Sequence, residues 1–154
     1  MTPTLMGRWQ TRIAMLATIG LLVTLIFALL FRGPFSPIVE PVFFFVLGYV
    51  ALFGLAWDLL WMALQSFRWD RDWPPAFQVL TGLIEGVVLY LLIAFVGLPG
   101  IPRGSIDVLT FVLHYGLIWW LVFLWVQGPM RAFFPFWRFH GGQITPKVPN
   151  APRS

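Results

Sequence analysis

The fold class this sequence predicts is an all-α integral membrane protein, a four-transmembrane-helix bundle, and three observations predict it. Of 154 residues, 59% are hydrophobic and 10% are charged, where a soluble domain carries about 25% charged residues. Four apolar runs of membrane-spanning length are separated by short segments rich in glycine, proline or charge. The cations fall on alternate connections, the asymmetry expected when one side of a membrane is favoured.

Residues 1–12 form a short basic head with Arg8, Trp9 and Arg12. The first span is expected over residues 13–31. Its apolar run exceeds the ~7–15 residues of a signal-peptide core and no clean small-residue cleavage site follows, so it reads as an uncleaved helix. Gly20, Thr24 and Ala28 recur every four residues along it, a small-residue face suited to close helix packing. After the breaker-rich stretch Arg32-Gly33-Pro34-Phe35-Ser36-Pro37, a second span runs over residues 41–65. A charged turn follows, Arg68-Trp69-Asp70-Arg71-Asp72-Trp73, with Asp72 placed to cap the third span at residues 75–96. Gly97, Pro99, Gly100, Pro102 and Gly104 make a tight loop before the fourth span, residues 105–127, which Gly128-Pro129 ends. Residues 130–140 mix aromatics with cations and suit the headgroup layer, and the Pro-rich residues 141–154 read as a disordered tail.

Eight of the ten cations fall on one side of this arrangement and only Arg32 and Arg103 on the other, which puts both termini in the cytoplasm. Trp9, Trp61, Trp69, Trp73, Trp125 and Trp137 lie near that same face as an aromatic belt. The expected location is a bacterial cytoplasmic membrane or an internal membrane derived from one.

Two carboxylates, Asp58 and Glu85, fall inside apolar spans, where ionisable groups mark function or tight helix pairing. Folding the second and third spans about the charged turn brings Gln65 opposite Gln78, Trp61 opposite Gly82, Asp58 opposite Glu85 and Trp57 opposite Gly86. Helical spacing agrees: Gly54, Asp58, Trp61 and Gln65 share one face, and Gln78, Gly82, Glu85 and Gly86 another. Gly82 and Gly86 form a GxxxG pair that permits close approach. Both acids sit roughly 10 Å inside the membrane edge at 1.5 Å per residue. Two adjacent carboxylates in low dielectric demand either a shared proton or an intervening cation. Arg12, Arg68, Arg71 and Arg131 are the candidates. The pair then serves as structural glue or, alternatively, as a proton or cation relay.

His114 is the remaining intramembrane ionisable group and shares a face with Asp107 and Thr110. An interhelical hydrogen bond is its plainer role, and a haem ligand, quinone contact or relay the functional one. The residues Arg68, Trp69, Asp70, Arg71, Asp72 and Trp73 make either an interfacial anchor closed by i,i+4 pairs or a docking turn for a partner or headgroup. Trp119 and Trp120 lie deeper than a belt should, against core, lipid, pigment or another protein.

Several functions are excluded or weakened. The absence of cysteine removes disulfides, iron–sulfur clusters and zinc–thiolate sites. No nucleophile elbow, phosphate loop or His-Glu-x-x-His motif is present, and neither a metal site nor a cofactor is expected. Nucleic acid is not an expected partner, because the cations sit at span ends. The chain is therefore expected to act as a non-catalytic accessory, assembly or scaffold subunit of a membrane complex. It would contact membrane lipids and a protein partner or a second copy of itself within the membrane. The alternatives are a small proton-coupled transporter using Asp58 and Glu85, or a membrane enzyme acting on a lipid or quinone.

Overall fold

The computed structural model describes residues 4–31, 40–67 and 75–145. Four helices in it are long and apolar enough to span a membrane, and among the described residues no β-strand occurs. We label them α1 (Leu5–Leu30), α2 (Val42–Ser66), α3 (Pro75–Leu91, continued by a wide turn over Leu92–Val96) and α4 (Val108–Gln127). Two short helices follow, α5 (Pro129–Phe133) and α6 (Pro135–Phe139), each with proline in its first turn, where the missing N–H costs nothing. α1 packs on α2 and α4, and α3 packs on the same two, so α1 and α3 are the diagonal pair. The charged turn at Arg68–Trp73 lies outside the described residues.

The first helix starts eight residues earlier than the apolar run suggests. Thr4 accepts a hydrogen bond from the Gly7 amide at 3.1 Å and caps it, so Arg8 and Arg12 belong to α1 rather than to a head before it. Arg12, Leu16, Gly20, Thr24 and Ala28 follow one another at intervals of four. That row would drift around a regular helix of 3.6 residues per turn. Leu16–Gly20 adopts the wider i→i+5 turn, which takes up the drift and keeps the whole row inward. The expected small-residue face is buried: Thr24 and Ala28 are fully covered, and a methyl on Gly20 would touch Leu47 at 3.0 Å.

One apolar cluster joins α1, α2 and α4 through Leu16, Val23, Phe27, Phe43, Leu47 and Ile118. A second joins α2, α3 and α4 through Val46, Leu89, Ile93 and Phe111, and the 97–107 loop supplies Ile101 and Ile106 to it. That loop folds back because Gly97 (φ +79°), Gly100 (φ +83°) and Gly104 (φ +65°) adopt left-handed backbone, while Leu98 and Ile101 exchange backbone hydrogen bonds.

The fourth helix begins at Val108 rather than Ser105 because Asp107 is its N-cap, accepting from the Thr110 amide at 3.0 Å. The Thr110 hydrogen bonds hold this exposed carboxyl below the usual carboxylate range. The capping contribution is thus present at neutral pH and is lost as pH falls through that lowered value.

Residues 130–140 pack onto the start of the first helix. Met130 and Trp137 are buried against Met15, and the Trp137 indole donates to Thr11 Oγ1 at 2.8 Å. The tail expected to be disordered from residue 141 is, over 141–145, a turn bonded to α1. Thr11 donates to the Gly142 carbonyl at 2.9 Å, and Gln10 Oε1 accepts from the Ile144 and Thr145 amides. Two glycines at positive φ, Gly141 and Gly142, let this backbone lie directly on Gly7. Sequence composition alone does not reveal that residues 141–145 meet the start of the first helix.

Candidate functional site

Gly54, Asp58, Trp61 and Gln65 are the buried polar face of α2, and Gln78, Gly82, Glu85 and Gly86 face inward from α3, as their spacing predicts. The acids meet through a cation. Arg12 reaches across the bundle from α1 and engages Asp58 with both prongs of its fork, Nε to Oδ2 and Nη2 to Oδ1, each at 2.9 Å. Its Nη1 donates to Glu85 Oε2 at 3.2 Å. The second Glu85 oxygen accepts from the Trp61 indole at 2.9 Å, so all four carboxylate oxygens are hydrogen-bonded. Of the two ways to hold adjacent acids in oil, the intervening cation is the one adopted. Arg12 supplies it, because its helix starts early enough to carry it to this depth. Gly54 makes the room: a methyl there would approach Arg12 Cζ to 2.7 Å.

One turn before Arg12, Arg8 donates to Gln65 Oε1 at 2.8 Å and lies within electrostatic reach of Asp58 and Glu85. Two arginines and two carboxylates sum to zero formal charge. Gln78 accepts from Gln127 on α4 at 2.8 Å, so each of the two glutamines expected to face the other bonds a different helix.

The glycine groove differs from expectation. Gly82 and Gly86 do not take Trp61 and Trp57 from α2; they take aromatic rings from α4. A methyl on Gly82 would lie 2.8 Å from Trp119 Cζ2, and one on Gly86 would lie 2.5 Å from Tyr115 Cε1. The Tyr115 hydroxyl also donates to the Gly82 carbonyl at 2.7 Å. Tyr115 and Trp119 stand four apart, as do Gly82 and Gly86, so ring sits in notch at two successive turns. That matched spacing was the available signal. Trp57 instead stacks on Trp61.

His114 belongs to a separate cluster. Its Nε2 lies 3.0 Å from Thr24 Oγ1, and its ring packs against Phe27 and Phe43, both at 5.1 Å between centroids. It is 1% exposed, and its Nδ1 has no hydrogen-bond partner among the described residues. Asp107 caps the helix instead of joining it. His140 bonds the Phe136 carbonyl in α6, so the structure does not unite the two imidazoles. Thr24→Val keeps shape but leaves the His114 Nε2 unsatisfied as well, and should destabilise the bundle by about 1–3 kcal/mol. Thermal unfolding in detergent measures it, and Thr24→Ser should restore most of the loss.

Between the ion network and α4 lies a cavity of about 210 Å³ to which all four spans contribute. Arg8, Arg12, Asp58 and Glu85 face it on one side. Ile118, Trp119, Val122 and Val126 form an apolar wall, and Arg131 and Trp137 line the cavity together with Gly7 and Gly142. Arg12 is 23% exposed, an accessibility that opens onto this cavity. No protein-family model, curated protein or solved structure matches the chain.

Proposed function

We propose that the protein is a non-catalytic scaffold or assembly subunit of a membrane complex, with both termini on the cytoplasmic side of a bacterial or bacteria-derived membrane. The observation that carries this reading is the closed ion network. Arg12 holds Asp58 by two hydrogen bonds and Glu85 by a third, so the acids a carrier would have to load and unload are committed to joining α1, α2 and α3. A second support is α4, the least covered span, with 17% of its apolar window buried against 39% in α1. Trp120, Leu124 and Trp125 point outward from it, a face suited to another membrane protein.

Purification in mild detergent followed by mass spectrometry tests the proposal. The expected result is a membrane protein recovered in constant ratio, lost on Trp120→Ala with Trp125→Ala while the chain itself stays abundant. Recovery of the chain alone would refute it. The carrier reading draws on the cavity beside the two acids. It expects the opposite pattern: Glu85→Gln would abolish proton-coupled uptake in liposomes with abundance unchanged.

A further inference from the structure

We propose that the cavity is a binding site for an anionic glycerophospholipid, taking its phosphodiester headgroup at Arg131 and one acyl chain along α4. The inference takes the membrane orientation from the reading above but not the scaffold role, and rests on the charge left over once the ion network is closed. Arg8 and Arg12 are balanced by Asp58 and Glu85. Arg131 also lines the cavity, is exposed at its end, and pairs with no carboxylate among the described residues. Among the described residues that line it, the cavity therefore carries three arginines against two carboxylates, an excess of one positive charge matched by the single negative charge of a phosphodiester. A guanidinium is suited to phosphate because its planar fork presents paired donors. Basic pockets between membrane helices near the cytoplasmic surface are where such headgroups bind.

The rest of the cavity selects a lipid over a free anion. From Gln127 inward, α4 offers Val126, Val122, Trp119 and Ile118, an apolar wall running about 12 Å along the axis at 1.5 Å per residue. Inorganic phosphate has nothing to gain from that surface, whereas an acyl chain buries against it. The volume, about 210 Å³, is below the ~300–1,000 Å³ of a pocket enclosing a drug-sized ligand. One chain enters, and the second stays in the bilayer.

Trp119 lines this wall with its ring in the Gly82 notch, and provides a local reporter. The protein would be placed in nanodiscs containing phosphatidylglycerol or phosphatidylcholine with brominated chains at equal mole fraction. Quenching would be compared between the native chain and Trp119→Phe, so that the difference isolates the cavity. The Trp119-dependent quenching should favour phosphatidylglycerol by about five-fold, the effect of one cation near the membrane surface. Arg131→Gln should abolish that preference, and Arg131→Lys should retain most of it. Equal Trp119-dependent quenching by the two lipids would overturn the proposal. Persistence of the preference in Arg131→Gln would overturn the assignment to Arg131. Displacement of the lipid signal by millimolar inorganic phosphate would show a free-anion site instead.

Discussion

Arg12→Met is expected to cost about 3–5 kcal/mol, because it leaves Asp58 and Glu85 buried without their cation. The protein should lose abundance in the membrane and unfold at lower temperature in detergent. Arg12→Lys should fall between native and methionine, since an ammonium cannot reproduce the fork on Asp58 while reaching Glu85. The decisive variant removes all four charges of the network together: Arg8→Gln, Arg12→Met, Asp58→Asn, Glu85→Gln. A neutral network has no unpaired ion to desolvate, so this variant should be far more stable than Arg12→Met alone and should approach the native chain. If Arg12→Met unfolds like the native protein, the network does not hold the bundle. If the neutral variant is the worse of the two, the effect is packing rather than charge.

Gly82→Val should destabilise by about 1–3 kcal/mol or more, because its side chain would enter the space that the Trp119 ring occupies. Trp119→Ala alone empties the same notch and should cost about 3–5 kcal/mol. Together the two should cost less than the sum of their separate effects, with a coupling of about 0.5–3 kcal/mol that relieves the clash. Equilibrium unfolding of the four members of this cycle measures it. Strict additivity would mean that ring and glycine do not share the notch in the folded bundle.

These two sites also show what the residues reveal before any coordinates. Four spans were legible because the bilayer demands about 20 apolar residues per crossing and turns demand glycine and proline. The inward faces of α2 and α3 were legible from helical period, and the need for a cation between Asp58 and Glu85 from electrostatics alone. Which cation was less visible. Hydropathy places Arg12 in a head before the first span, and only the Thr4 cap, a local hydrogen bond, draws it into α1. The glycine spacing reveals the groove but not its occupant, because a hairpin register considers two helices, while Gly82 and Gly86 face α4. The polar contacts of Gln78 with Gln127 and of Thr11 with Trp137 link residues 49 and 126 positions apart. Nothing in a single sequence pairs such distant residues.

The ion network has a consequence for how the molecule is made. Glu85 lies 73 residues after Arg12, and Asp58 lies 46 after it. While the first span leaves the ribosome, its guanidinium has no acid to meet, and placing it at final depth would strand a charge in hydrocarbon. That charge first meets an acid when the second span brings Asp58, and the network closes only when the third brings Glu85. The packing of the first helix is thus completed by side chains that are synthesised two spans later.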